Sequence, residues 1–334
     1  MATVVKCNNG VVTDTYMELI GKALSYSERV RYCRDMRECV AICPKTETIV
    51  VARTVDAFRA ILRGYKKIVV WFQGVEPEES YMAHHSKLRR SVLSTMERII
   101  LKRGEFFFFV SKAMKRHYES KYRITIDEDN CYIMPCQNTV FHPESFATAG
   151  KYSSNIYTYV GSLAVWQKFD ETIRLYKEIE KMGLPNTELR VFTFDQDMAR
   201  EMLRDAGVQH YSVGCVRNED MPCVLADIKY GFIIREDNIV NRVATPTKIS
   251  TYMSCGVIPI YSDCLEGFSE AARQLKYAIK NDEKKIEKIR QLSFVDYKDI
   301  EKEYKEFFDI HYSGEKHIEQ LKPKLSKIQQ RISK

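Results

Sequence analysis

Short runs of β-branched and aromatic residues alternate along this chain with longer stretches whose apolar positions recur every three or four residues, the pattern of strands and amphipathic helices in turn. The second half reads most cleanly. Ile156–Val160 is predicted as a strand ending in Gly161. Asp170 is placed to cap a helix with Ile173, Tyr176, Ile179 and Met182 on one face, stopped by Gly183 and Pro185. Leu189–Phe194 reads as a strand, Gln196–Ala206 as a helix, Val208–Val213 as a strand, Asn218–Ala226 as a short helix and Tyr230–Ile234 as a strand. Thr245 then caps a helix with Pro246 at its first position, running to Cys255 and closed by Gly256. Val257–Tyr261 is the next strand. Strands alternating with helices in this way predict a parallel sheet covered on both faces.

The first half follows the same rule. Thr3–Cys7, Glu47–Ala52, Lys67–Phe72, Glu105–Val110 and Cys131–Pro135 are predicted strands. Asp14–Ala23 and Val55–Leu62 are predicted helices, with a long basic helix from Glu78 to Lys102 and another capped by Ser111. Residues 137–155 are polar and aperiodic, which places an interdomain linker there, and the tail from Glu266 is helical without another strand signal. The expected fold class is therefore α/β: two open parallel-sheet domains, divided near residue 150, plus a helical tail.

Composition narrows the class. A chain of 334 residues fits two ordinary domains, and 45% hydrophobic with 29% charged residues describes a globular protein, not a disordered or collagenous one. No stretch approaches the about 20 apolar residues that span a bilayer, and Met1–Ser25 lacks a signal peptide's unbroken apolar segment. The ten cysteines are scattered. Neither Cys39-x3-Cys43 nor Cys131-x4-Cys136 has the second ligand pair of a zinc site, so free thiols in a reducing cytoplasm and no metal are expected.

Charge is unevenly placed. Residues 1–150 carry 23 Lys and Arg against 17 Asp and Glu, whereas residues 151–334 carry 29 against 28. Eleven basic residues face three acidic ones between Lys87 and Arg123. Such a stretch attracts polyanions: nucleic acid, anionic lipid or a phosphorylated substrate. No nucleic-acid recognition motif accompanies it, so nucleic acid is not the expected partner.

In open parallel sheets ligands bind beyond the carboxyl ends of the strands. Three such places draw attention in the second half: Gly161-Ser162, Val213 and Gly214 with the loop to Asn218, and the segment Arg235 to Lys248. In the last, a helix starting at Thr245-Pro246 presents free backbone N–H groups, a ready anion site. A lysine in its first turn, Lys248, is unfavourable beside the positive dipole end unless an anion lies between. Arg235 and Arg242 on the preceding loop are suited to bidentate phosphate contacts. Neither a GxxxxGK[ST] loop nor a GxGxxG fingerprint is present, which leaves a nucleoside diphosphate held by a helix N-terminus and scattered cations as the leading ligand class. In the first half, Gln73, Gly74 and Glu79 follow the strand Lys67–Phe72 and are candidate acceptor-binding residues, with Glu78, His84 and His85 as candidate catalytic groups.

These motifs resemble the GT-B glycosyltransferases, specifically the retaining family-4-like group. The segments WFQGVEPEESYM, FFFFVSKAMKRHY, MPCQNTVFHPESF, YVGSLAVWQKFDETIRLYKEI and REDNIVNRVATPTKISTYMSCGVIPI align in order with that group's motifs, the last most specifically. The resemblance implies two Rossmann-like domains, an acceptor domain over 1–150 and a nucleotide-sugar donor domain over 151–312, with a final helix over 313–334 packing back on the first. It implies that Arg235, Asn241, Thr247 and Lys248 hold the diphosphate, with Gly161 and Ser162 nearby and Val213 and Gly214 beside the base. The group's paired glutamates are replaced by Val243 and Thr251, and its Arg and Lys after the donor-domain glycine by Ser162 and Gln167, with Lys168 one position on. Arg242, Lys248 and Lys168 are the cations left to substitute. The expected activity is transfer of a sugar from a nucleoside diphosphate sugar to a glycan or lipid-linked acceptor, in the cytoplasm at the inner face of a membrane, with no cofactor. The rival expectation is a non-catalytic GT-B-like protein that binds nucleotide or glycan.

Overall fold

A computed structural model describes residues 1–6 and 10–331, so that Cys7 of the expected first strand lies outside the described residues. The chain divides into two compact units, one of Met1–Cys136 with Ile310–Lys334 and one of Gln137–Asp309.

The first unit is built on a six-stranded, wholly parallel sheet. Its strands lie in the spatial order Val30–Cys33, Ala2–Val5, Thr48–Val51, Lys67–Phe72, Phe106–Phe109, Cys131–Ile133. The central runs IVVWF and FFFF are buried because helices cover both faces, which is why they read as continuous apolar runs instead of alternating ones. Val30–Cys33, an edge strand with only Cys33 buried, carries no apolar run and gave no strand signal. Leu321 and Leu325 of the helix Gly314–Arg331 join the core of this unit with Met17 and Ile20 of the helix Val11–Ser25. Tyr132 fixes that helix further, its hydroxyl lying 2.8 Å from His317 Nδ1.

The expected helix from Glu78 to Lys102 is two helices, Glu76–His84 and Lys87–Arg103. His85 breaks it in the left-handed region at φ 52°, and Ser86 caps the second piece, its hydroxyl accepting from the Arg89 N–H at 3.3 Å. Ser111 caps its own helix as expected, accepting from Met114 N–H at 3.0 Å.

The second unit carries another six-stranded parallel sheet. Its order is Ile279–Lys280, Ile258–Tyr261, Tyr230–Ile233, Asn155–Val160, Thr187–Phe192, Tyr211–Gly214. The two-residue strand Ile279–Lys280 interrupts the tail that was expected to be helical throughout. Residues 137–155, expected as a linker, belong to this unit and close the end of the helix Thr247–Ser254. His142 N–H donates to Ser254 O at 2.9 Å, the Lys151 ammonium donates to Cys255 O, and Tyr152 OH donates to Gly256 O at 3.0 Å. Polar sequence here reflects the orphan carbonyls of a helix terminus, which need donors.

Two caps move. Pro246, not Thr245, stands at the N-cap of the helix Thr247–Ser254, and no side chain caps it. Lys168, left-handed at φ 48°, precedes the helix Phe169–Glu180, leaving Asp170 in its first turn.

Candidate functional site

The order of the second sheet reverses between Asn155–Val160 and Tyr230–Ile233, and open parallel sheets leave their binding crevice at such a point. Gly161 follows the first of these strands and Arg235 the second. Lys248 reaches the same place from the helix Thr247–Ser254. Four residues on, Tyr252 shares its helix face and locks the helix to the sheet. The Tyr252 hydroxyl accepts from Val160 N–H at 3.0 Å, and its ring fills the space beside Gly231, where a Cβ would lie 2.5 Å from it.

That docking sets Lys248 against Gly161. A Cβ at Gly161, whose φ is +134°, would lie 2.6 Å from both Cε and Nζ of Lys248. The ammonium also stands 4.4 Å from the centroid of the Tyr159 ring and donates to Gln167 Oε1. Gln167 is held in turn, its Nε2 donating to Ser162 Oγ at 3.0 Å, while Tyr159 OH donates to Ser162 O at 2.6 Å.

Burial holds Lys248 well below the usual lysine range, and the neighbouring Arg235 charge pushes the same way. Arg235 is itself lowered by burial. Neither has an ion pair among the described residues. Two adjacent half-buried cations without a carboxylate are costly, and an anionic ligand would relieve that cost. A cavity of about 180 Å³ opens beside Lys248, with Asn138, Thr139, Asn218, Thr247, Lys248 and Thr251 supplying its polar groups, no Asp or Glu in its lining, and Arg235 behind that lining. Thr251 Oγ1 lies 3.0 Å from Asn138 Oδ1 and 3.1 Å from Thr247 O.

Other residues singled out from sequence are placed differently. Arg242 is exposed and bound through two nitrogens to Asp237, at 2.6 and 2.9 Å. Asn241 is buried, its amide donating to Glu236 O at 2.9 Å, which folds the loop and leaves it outside the cavity lining. Lys168 faces Glu171 at 3.7 Å. Thr245 precedes the helix by two residues. Val213 and Gly214 end an edge strand, their carbonyls accepting from Arg200 at 3.3 Å and from Thr193 N–H at 2.9 Å. Sequence reasoning missed Tyr252 and Asn138; the i, i+4 spacing from Lys248 was the available signal for the first.

The first unit has its own cavity of about 600 Å³ beyond the strands Thr48–Val51 and Lys67–Phe72. Gln73, Gly74 and Glu79 line it with Glu76, which follows the same strand, and with Arg53 and Arg89, which sequence reasoning missed. A Cβ at Gly74 would fall on Glu79 Oε1, which accepts from Val75 N–H at 3.0 Å. Desolvation raises the Glu79 carboxyl above its usual range; that hydrogen bond opposes the shift, and the charges of Glu76 and Glu78 add to it.

The three candidate catalytic groups of this unit do not line that cavity. Glu78 is buried and turned to Lys121 at 2.9 Å and Arg90 at 3.4 Å. It shares Lys121 with fully buried Glu97, whose carboxyl burial pushes up to about 7 against the pull of Lys121 and Tyr122. His84 and His85 are exposed at the break between the two helices. Among the described residues, no group of three or more His, Cys, Asp or Glu is placed to hold a metal ion, and no helix is long and apolar enough to cross a membrane.

No protein-family model matches the chain, and no curated protein matches it. Solved structures do. A variant of S. aureus TarM in complex with Fondaparinux, alpha-GlcNAc-glycerol and UDP is similar with a TM-score of 0.59 at 13% identity, over 87% of this chain and 58% of that one. WaaG, a glycosyltransferase involved in lipopolysaccharide biosynthesis, is similar with a TM-score of 0.59 at 13% identity, over 96% of this chain and 99% of that one. An alpha,alpha-trehalose-phosphate synthase (UDP-forming) from Burkholderia vietnamiensis is similar with a TM-score of 0.60 at 11% identity, over 96% and 77%. The chain thus spans under three fifths of the TarM chain and nearly all of WaaG. Two parallel sheets of six strands, each wrapped by helices, and a helix that returns to the first unit identify the architecture: this chain has the GT-B fold.

Proposed function

We propose that the protein is a glycosyltransferase that moves a sugar from a nucleoside diphosphate sugar to an acceptor hydroxyl, with the donor in the second unit. The observation that carries this reading is the carboxylate-free pair Lys248 and Arg235 at the switch point of that sheet, with Lys248 occupying the space left by Gly161. A diphosphate is the anion that suits two cations and the uncapped start of the helix Thr247–Ser254. Catalysis then rests on holding the donor and stabilising the charge that develops on the departing diphosphate. Protein cations meet that charge, so no metal is needed, and the anomeric configuration is retained. The TarM structure contains UDP and the WaaG protein acts in lipopolysaccharide biosynthesis, which supports a nucleotide-sugar donor and a surface-glycan or glycolipid acceptor.

The protein works in the cytoplasm against an anionic membrane surface, through the helix Lys87–Arg103. Lys87, Arg98, Lys102 and Arg103 are exposed there and have no ion pair among the described residues, and Leu88 and Val92 stand exposed on the same helix, one turn apart. Arg90, Lys115 and Lys121 are engaged with Glu78, Glu119 and Glu97, so the basic stretch is not one continuous nucleic-acid track.

Calorimetric titration of UDP into the protein tests the donor site. Lys248→Ala should lower affinity by tenfold or more, as expected for loss of a charge-assisted contact worth roughly 1.5–3 kcal/mol; equal affinity in the variant sinks the assignment. A second reading, a non-catalytic nucleotide-binding protein, is favoured by Val243 and Thr251 and by the absence of any acid in the cavity lining. Steady release of UDP from a UDP-sugar panel by the purified chain excludes it.

A further inference from the structure

The cavity of the first unit holds charges of both signs that do not neutralise one another. Glu76 and Glu79 each have Oε1 fixed by a backbone N–H, from Thr54 at 3.1 Å and from Val75 at 3.0 Å. Their second oxygens take no hydrogen bond from a described residue. Carboxylates anchored in this way are rigid acceptors for hydroxyl groups. Arg89 lines the same cavity from the first turn of the helix Lys87–Arg103, yet pairs with neither carboxylate nor with any other among the described residues. Arg53 lines it from the neighbouring loop, where its Nε lies 3.7 Å from Asp56, which Arg59 also reaches at 3.5 Å. A guanidinium fork is built for two parallel bonds to a carboxylate or phosphate, and here the Arg89 fork borders the cavity without such a partner among the described residues, with Arg53 beside it. The volume, about 600 Å³, lies within the range that holds a small saccharide.

We propose that this cavity takes a saccharide carrying an anionic substituent, with its hydroxyls on Glu76 and Glu79 and its carboxylate or phosphate on Arg89 and Arg53. The inference rests on the transferase reading in naming that saccharide the acceptor. The two carboxylates repel an anion that lacks hydroxyls to satisfy them, and the guanidiniums hold a charged substituent more strongly than a neutral hydroxyl. Recognition is therefore strongest when both features are on one molecule.

The test is direct titration with three probes: glucose, glucuronate and glucose 6-phosphate. It is made on the Lys248→Ala protein, in which the anion site of the second unit is removed. One or both anionic probes should bind about tenfold more tightly than glucose, the gain from a charge-assisted bond, and the one that does identifies the substituent. Arg89→Gln, at an exposed position, should abolish the preference, while Arg63→Gln, exposed on the same unit and outside the cavity, should leave it intact. Equal binding of all three, no binding of any, a preference that survives Arg89→Gln, or an equal loss in Arg63→Gln overturns the proposal. UDP titration of the Arg89→Gln protein with Lys248 intact separates the two readings: the donor site should bind UDP as before. If UDP fails to bind even the unaltered protein, the transferase reading falls while the anionic-sugar result stands on its own.

Discussion

Gly161 and Lys248 share one space. The lysine's Cε and Nζ lie where a side chain at position 161 would begin, 2.6 Å from the would-be Cβ, so that the absence of one side chain is what lets the other enter. The glycine's φ of +134° adds a second reason for the residue, since other residues rarely adopt it. The lysine is placed by its helix, and the helix by Tyr252, so a strand end and a helix more than eighty residues further along the chain form one device.

Gly161→Ala should displace the ammonium without unfolding the protein. UDP affinity is expected to fall about as far as in Lys248→Ala, tenfold or more. The double variant should lose little beyond either single one, because both remove the same contact. Calorimetry on the three variants checks this; additive losses would mean that the two residues act separately.

Tyr252→Phe keeps the ring beside Gly231 and removes only the hydroxyl that receives Val160 N–H at 3.0 Å. An N–H left without its partner costs about 1–3 kcal/mol. Urea unfolding should show that loss, with a weaker UDP affinity because Lys248 rides on the same helix. Unchanged stability would show that the hydroxyl does not anchor the helix.

Lys151 makes stability depend on pH. It is 1% exposed, donates to the carbonyls of Ser145, Leu225 and Cys255, and burial pushes its ammonium from 10.5 down to about 7. Below pH 7 both folded and unfolded chains carry the proton and the cost of burying it is complete. From about 7 to 10.5 the unfolded chain holds a proton that the folded one has released, so stability rises with pH through that window. Lys229, lowered to about 8 by burial, adds to the rise from about 8 upward. Lys151→Met should be less stable, with three carbonyls stripped of a donor, and its rise should begin only near pH 8. Thermal melts across that range give the comparison; an unaltered profile would contradict it.

Leu88→Asp should weaken sedimentation with vesicles containing anionic phosphatidylserine and leave UDP affinity unchanged. Added salt should act in the same direction by screening Lys87, Arg98 and Lys102. Binding to neutral phosphatidylcholine vesicles as strong as to anionic ones would remove the membrane reading.

Strands buried on both faces were legible because IVVWF and FFFF leave no alternative, and the segment Arg235 to Lys248 drew attention because a lysine in a first helical turn is chemically odd. Less visible were features that depend on partners distant in the chain. Val30–Cys33 and Ile279–Lys280 are edge strands with little apolar sequence to mark them. The polar stretch 137–155 resembles a linker until its donors meet the end of the helix Thr247–Ser254. Glu78 looked like a site residue by position, but helical rotation turns it to Lys121 and Arg90, while Glu79 next to it lines the cavity. Arg89 was counted as one charge in a basic run, and only the break at His85 brings it to the cavity.

The first unit is completed by a segment that follows the entire second unit in the chain, since Ile310–Lys334 belongs with Met1–Cys136. During synthesis on the ribosome the second unit is therefore fully extruded while the first still lacks Leu321 and Leu325 from its core. The second unit can therefore close its core from one continuous stretch of chain, whereas the first must wait for a helix made after the whole of the second. Such an order makes the first unit the later of the two to complete its core during synthesis.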